Sequence, residues 1–212
     1  MHKQEQIKMD EIIEIEDIVG KTYQNAILER FTAKDFPWYL NKNLVSPDMF
    51  TGNSDKDINP LGWNHFLYEE NKVVSPVFEF VHPLVMIIQD LNIFPNNSLE
   101  RMRANLTECA PHNTQEHHLP HIDSWYEHYN VIYYMNDGDG DTFVMDQTNK
   151  DYNVDDFNFV KTAEWTVKKR ITPKKGKIVA FPGHYYHASS PNRKDPYRIV
   201  LNINFAEMKI GP

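Results

Sequence analysis

Apolar positions along this chain change character near residue 99. Before it they are sparse and partly helical. The segment "DEIIEIEDIV" alternates Ile with Glu or Asp and fits either a short edge strand or a helix, a choice that periodicity cannot make over so few residues. From Lys21, "KTYQNAILERF" carries Tyr23, Ala26, Ile27 and Phe31 at helical spacing, and "DFPWYL" after it reads as extended. Residues 46 to 64 are rich in Pro, Asn, Asp and Gly and predict a long loop. Ser75-Pro76 pairs an N-cap hydroxyl with a proline suited to a first helical position. The longest helix is therefore expected through "VFEFVHPLVMIIQDL", strained or broken at Pro83.

After Leu99 the pattern becomes a series of short strands separated by turn signals, which predicts a sandwich or barrel. "LERMRANLTECA" alternates, "EHYNVIYYMN" is rich in aromatic and β-branched residues, and the Asp137-Gly138-Asp139-Gly140 turn leads into "DTFVMD". Residues 147 to 159 read as an inserted polar loop, and "GKIVAF" and "YRIVLNINF" are the clearest strands. In the last of these, Ile199, Leu201, Ile203 and Phe205 share one face, with Arg198, Val200, Asn202 and Asn204 on the other. In "YNVIYYMN", Asn130, Ile132 and Tyr134 share a face, opposite Tyr129, Val131 and Tyr133. The turn-rich "SSPNRKDP" between the last two strands suggests a hairpin that would bring His187 close to Arg198.

Length, charge and cysteine content narrow the setting. At 212 residues the chain suits one sizeable core, a single domain over 1–212, with flanking helices and strands in 1–98 and a barrel core in 99–206. A net charge of -8 disfavours a protein that coats duplex nucleic acid. Cys109 is the only cysteine, so no internal disulfide can form; it reads as a small buried hydrophobe, and a cytoplasmic setting is expected. No apolar run reaches the roughly 18 residues of a membrane span. The basic run Lys168, Lys169, Arg170, Lys174, Lys175, Lys177 reads as a charged sheet edge in preference to a nucleic-acid contact.

The candidate chemistry lies in the second half. His121-Ile122-Asp123 follows Pro120, which favours extended backbone, so the two side chains can share a face and grip one ion. Two imidazoles and one carboxylate are the facial set that holds Fe(II) with positions left open. His187 is the second imidazole, with His184 its competitor, and Arg198 supplies a guanidinium able to take a carboxylate in bidentate fashion. His117 and His118 read as surface or supporting histidines, because Pro120 breaks any helical cluster with His121.

His121-Ile122-Asp123, "IYYMN", "GDGDTFV" and "KKGKIVAFPGHYYHASSP" followed by Arg198 resemble the Fe(II)- and 2-oxoglutarate-dependent dioxygenases, nearest in pattern to the prolyl 4-hydroxylase-like branch. The resemblance spans about residues 99 to 206. It implies a mainly β fold with flanking helices, a double-stranded β-helix or jelly-roll barrel of cupin-like form. It implies Fe(II) on His121, Asp123 and His187, because "HASSP" and the step to Arg198 suit His187 better than His184. Arg198 and Tyr134 would hold the far carboxylate of the co-substrate 2-oxoglutarate, with Asn130, Ile132 and Asn202 lining the pocket and O2 as oxidant. The carboxylate of Asp123 favours hydroxylation over halogenation. The implied partner is a peptide, amino acid or small molecule, with no membrane and with nucleic acid disfavoured, and the resemblance implies no particular oligomeric state. The alternatives are oxidative dealkylation of nucleic-acid bases and a non-catalytic metal-binding jelly roll.

Overall fold

The computed structural model describes residues 11–42, 62–95, 97–150, 159–160 and 163–206. Two antiparallel sheets face one another. The larger has eight strands in the order β1 (Ile13–Ile15), β9 (Ile178–Pro182), β6 (His128–Tyr134), β11 (Tyr197–Ala206), β5 (Ser98–Glu108), β3 (Gly62–Glu69) and β2 (Tyr39–Asn41), with β4 (Lys72–Val73) paired to β3. The smaller runs β10 (Tyr185–Ser189), β7 (Thr142–Thr148), β8 (Val167–Ile171). A lone bridge between His121 and His187 adds the His121 segment beyond β10. This is the double-stranded β-helix that the resemblance implied.

Strand alternation sorts side chains into layers. On the outer face of the larger sheet, Val131 and Tyr133 of β6 and Leu201, Ile203 and Phe205 of β11 pack against α1 (Lys21–Phe31) and α2 (Val77–Asp90). Between the sheets lie Ile132, Tyr134, Val144, Val179, Phe181 and Val200. Outside the smaller sheet, Ile122, Phe143, Met145 and Tyr186 form a third cluster. β11 is therefore buried on both faces, and its polar face points at an interior and not at bulk water.

Several sequence expectations change. The N-terminal Ile/Glu segment resolves as the edge strand β1. Residues 62 to 64, expected in a loop, open β3, because Trp63 stands opposite Leu106 of β5; residues 43 to 61 lie outside the described set. Helix α2 passes through Pro83 without a break. Pro83 is exposed, so the carbonyl that loses its donor faces water while Val81, Leu84, Val85 and Ile88 keep the opposite face packed. Ser75 does serve the helix start, its hydroxyl accepting from Val77 N–H at 3.2 Å. The 147 to 159 loop is narrower than expected, since Gln147 and Thr148 belong to β7 and Phe159–Val160 is helical; 151 to 158 lie outside the described residues. β9 and β11 do not form a hairpin, because β6 lies between them. Cys109 is exposed, at the end of β5 where the chain leaves the sheet.

Candidate metal and co-substrate site

His121 and His187 meet through their backbones. His121 N–H donates to His187 O at 3.0 Å and His187 N–H to His121 O at 2.9 Å, which sets the two rings 4.6 Å apart. Asp123, two residues on, completes the cluster: one ligand atom from each of His121, Asp123 and His187 lies within 4.8 Å of the others. The Nε2 of His121 is 3.9 Å from Asp123 Oδ1, and that of His187 is 3.8 Å from Oδ2. His184 lies outside the cluster, its backbone carbonyl bonded to Asn149 N–H. His118 N–H donates to Ser189 O and its ring meets Ser189 Oγ at 3.1 Å, away from the three ligand atoms. Its companion His117 contacts the His118 carbonyl through Nδ1.

Protonation suits a divalent cation. Burial, then the neighbouring His121, pushes the His187 imidazole down to about 3, and burial also lowers His121, so both rings are neutral with lone pairs available. Burial alone would raise the Asp123 carboxyl, but Arg101, His187 and His121 hold it well below the usual carboxylate range. Asp123 is also oriented. Arg101 Nη2 sits 3.2 Å from Oδ1, while the amides of Asn202 and Asn204 donate to Oδ2 at 3.1 and 3.2 Å. Two neutral imidazoles and a fixed carboxylate converging on one point fit Fe(II).

The cluster opens on a cleft whose wall is set by the β5–β11 register. Arg198 pairs with Thr107, Val200 with Asn105 and Asn202 with Arg103, and all six line the cleft. Arg198 is buried, with no carboxylate partner among the described residues; its Nη2 donates to Thr142 Oγ1 at 2.9 Å and its Nε is unbonded. Tyr134 stands behind it, the ring 5.6 Å from the guanidinium carbon and the hydroxyl donating to the same Thr142 oxygen at 2.7 Å. Thr142 thus accepts from both and keeps its own proton to donate into the cleft. Burial pushes the Tyr134 phenol up to about 12, so it is a neutral donor.

Of the pocket positions implied by resemblance, Ile132 and Asn202 line the cleft. Asn130 stands behind it, its side-chain oxygen accepting from Asn204 at 2.6 Å, one step from Asp123. Sequence reasoning placed Asn204 on the Arg198 face without giving it a role, and it overlooked Arg101, Arg103 and Thr142. The signal was present for two of them: in "RMRANLT" the arginines fall on the same alternate positions as Asn105 and Thr107. Thr142 carried no such signal, because its role depends on a contact with Arg198, fifty-six residues away.

The fold is similar to that of several solved structures. The non-heme alpha ketoglutarate dependent epimerase SnoN from nogalamycin biosynthesis matches with a TM-score of 0.63 at 12% identity, over 94% of this chain and 79% of that one. A Trichoplax adhaerens prolyl hydroxylase in complex with a hypoxia inducible factor peptide matches with a TM-score of 0.61 at 13% identity, over 93% and 84%. A Pseudomonas putida prolyl-4-hydroxylase matches with a TM-score of 0.52 at 13% identity, over 93% of each chain. Likeness at such identities shows the fold. No curated protein matches the sequence. The model of the 2OG-Fe(II) oxygenase superfamily matches residues 105–206, the stretch that carries His121, Asp123, His187 and Arg198, and over that stretch the chain carries a 2OG-Fe(II) oxygenase domain, the domain of a dioxygenase that uses Fe(II), 2-oxoglutarate and O2.

Proposed function

We propose that the chain hydroxylates an unactivated C–H bond of a peptidyl, amino-acid or small-molecule substrate, acting as a single domain over residues 1–212 in the cytoplasm. The observation that carries this reading is the pairing, on one cleft, of a complete His121–Asp123–His187 set with a buried guanidinium that lacks a carboxylate. Bound Fe(II) supplies the oxygen chemistry, in which one atom of O2 enters the substrate and the other enters succinate as 2-oxoglutarate loses CO2. The protein's part is to bind and orient. His121, Asp123 and His187 hold the metal, and Asn202, Asn204 and Arg101 keep the Asp123 oxygens aimed. Arg198 takes the distal carboxylate of 2-oxoglutarate, with the Thr142 hydroxyl as a further donor and Tyr134 fixing both. Ile132, Val200 and the Phe181 ring keep the interior apolar around that carboxylate, which strengthens its bond to Arg198. Asp123 favours hydroxylation, since its carboxylate occupies the position that a halide would need.

The similar folds include a prolyl hydroxylase bound to a peptide and an epimerase from nogalamycin biosynthesis, so the reaction subtype is set by the site and not by the fold. No helix among the described residues is long and apolar enough to cross a membrane. The deciding experiment is a screen of peptides, amino acids and small metabolites read by succinate release, with product mass spectrometry. A gain of one oxygen supports the hydroxylase. Formaldehyde released from a methylated oligonucleotide would replace it with the dealkylase reading.

A further inference from the structure

We infer that Arg103 forms a second anion site at the metal end of the cleft and that the prime substrate carries a carboxylate there. The inference rests on the oxygenase reading above and narrows its substrate class. Three guanidinium groups, Arg101, Arg103 and Arg198, lie at the cluster or along its cleft, and among the described residues Asp123 is the one carboxylate within ion-pair distance of any of them. Asp123 and a dianionic co-substrate together offset a divalent metal and one guanidinium. Two positive charges are left over in a partly enclosed space, and enclosed charge without a partner is unfavourable. Arg101 has an ionic partner in Asp123 and donates its Nε–H to the Asn204 oxygen at 2.9 Å. Arg103 has neither an ion pair nor a side-chain hydrogen bond among the described residues, and its buried Nε is unbonded. Glu69 and Asp123 act on it only from a distance.

Position separates Arg103 from the co-substrate anchor. On the β5–β11 ladder, Arg198 stands beside Thr107 and Arg103 beside Asn202, the residue that holds Asp123. The two levels differ by four residues, about 13 Å at ~3.3 Å per residue. The carboxyl carbons of 2-oxoglutarate are only roughly 5 Å apart, given C–C bonds of about 1.5 Å. Arg103 also leans away from β11, with its guanidinium carbon 5.6 Å from the centre of the Phe66 ring on β3. Arg103 nevertheless lines the cleft, and its planar fork is the donor set suited to a bidentate carboxylate. A carboxylate seated there belongs to a molecule entering from the β3 side and would hold it next to the metal. Free amino acids, other small acids and peptide C-termini meet this requirement.

The same charge chemistry has a second source, the metal-proximal carboxylate of 2-oxoglutarate, and the test separates the two. Full-length protein is loaded with Mn(II) in place of iron under argon, and 2-oxoglutarate affinity is measured first by calorimetry. With the co-substrate saturating, propionate and benzoate are then titrated against propionamide and benzamide. The wild type should bind the carboxylates and gain thermal stability, and the amides should do neither. Arg103→Gln should lose carboxylate binding by about tenfold or more while its 2-oxoglutarate affinity is unchanged. Arg103→Lys, which keeps the charge and loses the fork, should fall between and serves alone if Arg103→Gln does not fold. Failure of the wild type to bind 2-oxoglutarate would overturn the oxygenase reading itself. With 2-oxoglutarate bound, three results would overturn this inference alone: no carboxylate binding by the wild type, binding that persists undiminished in the variants, or a fall in 2-oxoglutarate affinity on changing Arg103.

Discussion

Two groups of cations in this molecule look alike in the sequence and are opposite in the structure. The run from Lys168 to Lys177 is spent on the fold. Lys168 faces Asp146 at 3.6 Å, Lys169 and Lys177 share Glu14 at 2.9 and 3.1 Å, Arg170 holds Asp141, Lys174 holds Glu16 at 2.5 Å and Lys175 donates to Asn25 at 2.6 Å. The alternating Ile and Glu of β1 is the other half of this arrangement: Ile13 and Ile15 enter the core while Glu14 and Glu16 meet the lysines. Arg103 and Arg198 lie in the cleft with no carboxylate partner among the described residues, and Arg198 is buried. A cation whose partner is built into the chain stabilises the chain. One that is enclosed without a partner is placed for a ligand, a distinction that a count of basic residues does not make.

The largest test of that contrast is at the metal cluster, because the cleft cations matter only if the cleft works. Asp123→Ala and His187→Ala should each abolish Fe(II)-dependent succinate release and metal binding, a loss greater than the 10–100-fold typical of an outer hydrogen-bond partner. His184→Ala should keep its iron, measured by metal content after desalting. Retention of iron by His187→Ala with loss in His184→Ala would reassign the ligand.

Next in size is Arg198→Ala. Removing one partner of a buried charge pair costs about 2–5 kcal/mol, so 2-oxoglutarate should bind roughly 30-fold to several thousand-fold more weakly while iron still binds. Titration into the anaerobic Fe(II) protein, followed by the visible band that co-substrate chelation produces, reads this directly. An unchanged affinity would mean that an unpartnered interior cation is no guide to a ligand here.

Tyr134 is where the two groups meet, its ring 5.6 Å from the Arg198 guanidinium carbon and 5.9 Å from Lys177 Nζ. Tyr134→Phe removes the donor to Thr142 and leaves both ring contacts. Co-substrate affinity should fall by the worth of an ordinary hydrogen bond, about 0.5–1.5 kcal/mol. A loss as large as that of Arg198→Ala would show that the hydroxyl reaches the carboxylate itself.

What the sequence revealed follows from how far each signal reaches. The faces of β6 and β11 were readable because alternation is a property of adjacent residues, and the packed layers confirm them. The neighbour of β11 was not readable. A turn-rich linker suggested β9, and β6 takes that place through pairing between residues about seventy positions apart, Val200 with Tyr134 and Asn204 with Asn130. The metal triad was visible as a spacing, but Asn202 and Asn204 as its supports required knowing that β11 passes Asp123. The face of Arg103 was readable by alternation with Asn105 and Thr107, but its want of a partner among the described residues was not, since absence of a contact has no local sequence signature.

The smallest expected effect belongs to the outer cations. With Lys168, Lys169, Lys174 and Lys175 changed to Gln, 2-oxoglutarate affinity and turnover should be unchanged, because none of the four lines the cleft and each engages its own side-chain partner. Thermal stability should fall slightly, since exposed pairs contribute little and Lys177, the buried member, is retained. The difference in Tm from the wild type should shrink as salt is raised, because exposed pairs are screened while the cleft interactions are shielded by burial. A large loss of turnover at unchanged stability would place the substrate on this face. Binding of single-stranded nucleic acid by the wild type, abolished in the variant with a shallower salt slope, would show that the paired surface is also a contact surface.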